Sequence, residues 1–195
     1  MTRPLVECFL AAFPNQMKEY LIETFRYNDY ANKLSLAKIN ELKEKDECVR
    51  LFSHLINSMN KWLGRVEKWG AKRPFPEDIV VSSSGTLTYV DMDWWLPVYS
   101  LNDLEAKWDK SLEKWLAFLE SKTEGELIED VEFVGFDGSD FAATAKDIAL
   151  QLNYHSIHHR AQIQYLIRQQ GVEPHFVDYI GTKYRKVRQQ TPTPS

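Results

Sequence analysis

Residues 141–170 read FAATAKDIALQLNYHSIHHRAQIQYLIRQQ. Ala145, Ile148, Leu152, Ile163 and Leu166 recur at the three-and-four spacing of a helix with one buried face, while Gly171 and then Pro174 supply a stop. The reading is a long amphipathic helix from about Ser139 to Gln170. Its unusual content is NYHSIHHR, which holds three of the chain's five histidines. His159 falls near the middle of the apolar stripe, His155 on its shoulder and His158 on its flank. His155 and His159 are four apart, so both imidazoles rise from one face within reach of a common ion.

Working outward, three more segments carry helical periodicity. Residues 16–45, QMKEYLIETFRYNDYANKLSLAKINELKEK, lack Pro and Gly and predict a first long helix. A second is expected from Asp46, a natural N-cap, to Lys68, with Gly70 behind it. Asn102 or Asp103 can cap a third over 104–122, where Leu104, Trp108, Leu112, Trp115 and Leu119 form the apolar face. Between the second and third helices, residues 70–100 change character. Pro74, Pro76, the β-leaning run IVVSSSGTLTYV and then DMDWWLPVYS describe a long crossover. Residues 126–140, with Asp137-Gly138 between short apolar runs, predict a small hairpin or extended turn. The expected fold class is therefore all-α: a four-helix bundle with a long crossover between helices 2 and 3 and no convincing sheet.

Totals agree with one such unit. A chain of 195 residues with 44% hydrophobic content buries one sizeable core, so a single domain over 1–190 with a disordered tail at 191–195 suffices. A net charge of −4 argues against broad binding to a phosphate backbone. Lys183, Arg185, Lys186 and Arg188 make a local basic run that a solvated surface explains, with nucleic acid a remote second reading. Cys8 and Cys48 are far apart and in no metal-type spacing, which predicts reduced thiols. No apolar run reaches membrane-spanning length and the N-terminus lacks a secretory pattern, so the expected compartment is the cytoplasm.

Two imidazoles facing a helical core need partners, because an unsatisfied buried polar group costs about 1–3 kcal/mol. Hydrogen bonds from neighbouring helices are one answer, and a metal with a third ligand is the other. His54 is the remaining histidine inside a long helix; His175 sits in the loop after Gly171. On the second helix Leu51, Leu55, Met59, Trp62 and Val66 form a stripe that His54 borders rather than centres. Ser58, one turn on, is small and leaves room for an ion and its waters.

Three segments then resemble one known family. FRYNDYANKLSLAKINEL (25–42) presents Tyr27, Asn28, Ala31 and Asn32; HLINSMNKWLGR (54–65) sets a histidine ahead of Trp62 and Arg65. NYHSIHHRAQIQYLIRQQGVEPHFVDYI (153–180) adds His155, His159, Arg160 and Gln162 and closes with Gly171, Pro174, Asp178 and Tyr179. Together they resemble the DinB superfamily of small metal-binding helical bundles, over most of the chain from about Tyr20 to Lys183. Ala161 stands where that family commonly has glycine, and the 70–100 stretch is longer than its usual connection. The resemblance implies a DinB-like four-helix bundle with one divalent transition metal, Zn or Ni foremost, held by His54, His155 and His159. It also implies a homodimer and, by analogy with some members, a small-molecule enzyme that transfers or isomerises through a low-molecular-weight thiol.

Three neutral nitrogens leave open positions at a metal, the pattern of a working site. Metal-dependent hydrolysis and a non-catalytic metal-binding or stress-response role stay open beside thiol S-transfer, and no catalytic group besides the metal stands out. Gln151 and Gln162 share the histidine face and are candidates to orient a ligand or a water, or else plain polar filling. Tyr27, Asn28 and Asn32 are candidates for ordinary interhelical hydrogen bonds or for site contacts. Asp91 and Asp93 are remote candidates for reaching the metal. Trp94, Trp95, Pro97 and Tyr99 read either as an apolar lid or as packing over one end of the helices.

Overall fold

A computed structural model describes residues 16–67, 79–81, 87–89, 94–134 and 139–185. The chain is mostly helical. Among the described residues four long helices carry it: α1 (Gln16–Ile39), α2 (Asp46–Glu67), α3 (Leu104–Ser121) and, after the short α4 (Glu124–Leu127), α5 (Ala145–Gln169). Residues Ile79–Val81 (β1) and Leu87–Tyr89 (β2) pair antiparallel within the crossover, and Asp130–Val134 (β3) pairs antiparallel with Asp140–Thr144 (β4). These two-stranded sheets correct the expectation of no sheet. The second is the hairpin anticipated around Asp137-Gly138, two residues that lie outside the described ones, as do the tail at 191–195 and Gly70.

Two boundaries differ from the sequence reading. The first helix stops at Ile39, not Lys45, because the chain must turn: Asn40 Nδ2 donates back to Leu36 O, and the Gln170 side chain takes up the backbone N–H groups of Lys43 and Glu44. The last helix starts at Ala145 because Phe141–Thr144 are paired with β3. Thr144 then caps it, accepting from Asp147 N at 3.1 Å. Asp103 precedes α3 as expected, yet its carboxylate accepts from Ser100 Oγ at 2.7 Å and makes no cap bond. At the far end of α5, Gly171 adopts φ +77°, a left-handed conformation that only glycine enters without strain.

Each long helix packs against two others: α1 on α3 and α5, α2 on α3 and α5. Side-chain pairs set the directions. Thr24 and Asn28 meet Asn153 while Lys43 meets Gln170, so α1 and α5 run parallel. Phe52 meets Trp108 and Met59 meets Trp115, so α2 and α3 also run parallel. A parallel neighbour cannot be reached by a tight turn. The chain must travel back along α2, 22 residues or about 33 Å, before α3 begins. The crossover is the physical consequence.

The core is Leu, Ile and aromatic residues, with Trp108 and Trp115 essentially inaccessible. Both indoles find acceptors, Asp29 Oδ1 at 3.0 Å and Met59 O at 2.8 Å, which removes the cost of burying their N–H groups. Cys48 is buried as a free thiol. Among the described residues no helix is long and apolar enough to cross a membrane.

Candidate metal centre

α2 is buried over almost its whole circumference from Cys48 to Met59. One side meets α3, while the end of the crossover lies on the other: Asn57 Nδ2 donates to Pro97 O at 3.0 Å, Tyr99 N to Ser53 Oγ at 3.0 Å, and Tyr99 OH to Asn57 Oδ1 at 2.9 Å. This second cover is why the apolar stripe misplaces His54. The stripe reports the apolar core, where Leu55 and Met59 meet Phe25, Trp108 and Leu152, whereas His54 is buried between α5 and the crossover, at 6% exposure.

Across from it, α5 presents His155 and His159. His155 Nε2 stands 3.0 Å from His54 Nε2 and 3.0 Å from His159 Nε2. The three candidate ligand atoms lie within 4.8 Å of one another, and no Asp, Glu or Cys among the described residues joins them. Nitrogens held about 2.0–2.1 Å from one tetrahedral ion stand about 3.3 Å apart, a spacing close to the two 3.0 Å separations of this set.

The remaining ring nitrogens settle which ends face inward. His54 Nδ1 is 2.8 Å from Trp94 O, an atom that only accepts, so Nδ1 carries the proton and Nε2 bears the lone pair. His159 Nδ1 is likewise 2.7 Å from Gln162 Oε1, and the Gln162 amide turns its nitrogen toward His158 Nε2 at 3.3 Å. Two lone pairs thus converge on His155 Nε2. A single N–H there satisfies one of them and leaves the other facing a nitrogen at 3.0 Å, whereas a cation satisfies all three. The donor set fits a divalent metal, and imidazole suits Zn, Ni, Cu or Fe.

Electrostatics favour the neutral rings such an ion needs. Burial, reinforced by the neighbouring imidazoles, pushes His155 down to about 3. Burial pushes His159 down to about 4 against the opposing effect of the hydrogen bond it donates to Gln162. His54 is lowered by burial, with Arg50 and Lys61 adding to the effect and the Trp94 carbonyl opposing it. The walls are aromatic: the Trp95 ring stacks on His54 with centroids 4.0 Å apart, and the Arg50 guanidinium lies 4.2 Å from the Trp95 centroid. Glu47 holds that guanidinium with bonds of 2.8 and 2.6 Å.

A family model described as the DinB family matches residues 17–192. The chain belongs to the DinB family. No curated protein and no solved structure matches it. In this DinB protein the histidines that resemblance assigned are the ones the fold brings together, and His158 stays outside, exposed on α5.

The other expected site residues divide. Gln162 orients a histidine of the triad, while Gln151 is exposed on α5. Asn28 and Asn32 belong to a buried seam between α1 and α5. Asn28 Nδ2 donates to Asn153, Asn32 Nδ2 donates to Ser156 Oγ at 2.8 Å, and Arg160 Nη1 donates to both asparagine oxygens at 2.9 Å. Tyr27 donates to Val177 O and offers its ring to Arg160. Trp94, Trp95, Pro97 and Tyr99 form a wall on α2, and Trp95 covers His54 directly. Asp91, Asp93, Lys186 and Arg188 lie outside the described residues. Lys183 pairs with Glu23 of α1 and lies over the Tyr179 ring rather than joining a free basic face. Pattern reading missed Arg50 and the Trp94 carbonyl; a backbone acceptor leaves no signal in a sequence, and an arginine one turn before His54 was the available clue to the first.

Proposed function

We propose that this DinB protein is a metal-dependent enzyme acting on a small molecule, with thiol S-transfer as its reaction. It is read as one domain over 1–190, a four-helix bundle that works in the cytoplasm as a homodimer. The observation that carries the reading is the convergence of three Nε2 atoms, two of them fixed as lone-pair donors by Trp94 O and Gln162 Oε1.

His54, His155 and His159 would hold the ion, and its chemistry would be to favour the thiolate over the thiol at neutral pH. The protein's own contribution is positioning. Three neutral imidazoles leave the ion's full charge for an incoming anion, since no carboxylate of the described residues joins them. Trp95 and the docked crossover keep bulk water off the His54 side, which strengthens electrostatic attraction there. In the transfer itself, the thiolate sulfur forms a bond to an electrophilic carbon and the leaving group departs with its electron pair.

Elemental analysis of untagged protein tests the first half: a stoichiometric divalent metal, lost in His155→Ala and His159→Ala, is expected. A screen of low-molecular-weight thiols against electrophiles such as chlorodinitrobenzene tests the second. Turnover that follows metal content supports S-transfer. Stoichiometric metal with no metal-dependent turnover leaves a non-catalytic metal-binding protein, and turnover of ester or amide substrates instead marks a hydrolase.

A further inference from the structure

Five serines are buried among the described residues: Ser35, Ser53, Ser58, Ser111 and Ser156. Four have a hydrogen-bond partner. Ser35 and Ser111 turn back onto the carbonyls four residues earlier, Ala31 O and Lys107 O; Ser53 accepts from Tyr99 N, and Ser156 accepts from Asn32 Nδ2. Ser58 Oγ has none, at 2% exposure. A serine in a helix has a partner at hand in the carbonyl four residues back, here that of His54, and Ser58 does not use it. A buried hydroxyl left in this state costs stability, so its retention calls for another purpose.

Position supplies one. Ser58 follows His54 by one turn on the same side of α2, and residues four apart on a helix are neighbours on its surface, so the two side chains share one flank of the helix. α2 and α5 run antiparallel, so residues after His54 on this side meet α5 near His155 and the turn before it. The polar groups of α2 that face the crossover, Ser53 and Asn57, are already engaged there.

We propose that Ser58 is a ligand-binding residue of the centre: its Oγ–H donates to the anionic atom, a thiolate sulfur or a comparable small anion, that shares the ion with the three imidazoles. The inference rests on the reading of the triad as a metal centre and names a further group of that site. A hydrogen bond to a charged partner is among the stronger ones, so its loss weakens anion binding by about tenfold or more.

The test uses full-length protein loaded with Co(II). Wild type, Ser58→Ala and Ser58→Thr are titrated with 2-mercaptoethanol, followed through the thiolate-to-cobalt charge-transfer band, and separately with azide, followed through the visible bands. Co(II) affinity is expected to be the same in all three, with affinity for both probes down about tenfold in Ser58→Ala and restored in Ser58→Thr. A loss for 2-mercaptoethanol alone assigns the hydroxyl to sulfur ligands; a loss for azide as well assigns it to small anions generally. Equal probe affinity in wild type and Ser58→Ala overturns the proposal. Failure of the wild type to take up Co(II) overturns the metal centre itself. Thermal unfolding of metal-free protein adds an independent check: Ser58→Ala should melt at or above the wild-type temperature, and a clear drop would show that the hydroxyl has a partner in the fold.

Discussion

His54 and His155 lie 101 residues apart in sequence, on different helices, and their Nε2 atoms stand 3.0 Å from each other. Neither helix holds a centre alone, because α5 offers two nitrogens and α2 one. Removing His54 should therefore lower metal affinity as severely as removing either member of the pair on α5. In His54→Ala, calorimetric titration with Zn(II) is expected to show a loss of at least about a hundredfold, with helical content by circular dichroism unchanged. Wild-type affinity in that variant would eliminate the shared centre.

Gln162 fixes the ring of His159 from behind through a 2.7 Å bond. Replacing it with alanine frees the imidazole to rotate or change tautomer without touching a ligand. Gln162→Ala should cost about 10–100-fold in metal affinity. Gln162→Glu, which keeps the acceptor and adds charge, should recover most of it.

The depressed imidazoles predict a direction with pH. In the unfolded chain these groups protonate near 6.5, whereas the folded protein resists protonation down to about 4 at His159 and about 3 at His155. Between those limits the unfolded state binds more protons. The contribution of these rings to the stability of metal-free protein is thus complete above pH 6.5 and is lost as pH falls. The urea midpoint should decline from pH 6.5 to 4, less steeply in His155→Ala, and the metal-loaded protein should hold its midpoint to lower pH. A midpoint flat over that range would contradict the burial that lowers them.

Cys48 is 1% exposed, and burial, aided by the charge of Glu47, pushes its thiol up to about 11. At pH 8 only about one molecule in a thousand would carry the thiolate. In a Cys8→Ser background, reaction with a disulfide reagent at pH 8 should proceed only as fast as the protein opens and become immediate in urea. Rapid labelling of native protein would place Cys48 at a mobile surface.

Arg160 is 3% exposed and its nearest acceptors are neutral amides. Asn28→Ala removes one of them and the bond to Asn153 together. A loss of about 2–4 kcal/mol in urea denaturation is expected. A change below about 0.5 kcal/mol would mean that the guanidinium is satisfied elsewhere.

What the sequence disclosed and what it hid follow from how each feature is encoded. Helical periodicity marks segments that bury one face, which made the four long helices and the last turn before Gly171 legible. The His-x-x-x-His pair on α5 is local, so spacing alone found it. His54 is different: its helix is covered on both sides, and a single apolar stripe describes only the face toward the apolar core. Resemblance, not periodicity, assigned it. Phe141–Thr144 carry apolar residues in phase with the helix that follows, and only pairing with β3 takes them out of it. Trp94 acts through its carbonyl, which every residue possesses.

The parallel packing of α2 and α3 reaches further than topology. Had those neighbours been antiparallel, a few residues would have joined them and the outer side of His54 would face solvent. Because the chain has to retrace the length of α2, it carries a tryptophan pair back across the histidine, one residue locking the ring's proton and the next sheltering its face. The architecture of the connection and the chemistry of the ligand therefore meet in two adjacent residues, and the roof of the centre is supplied by the way the bundle is threaded.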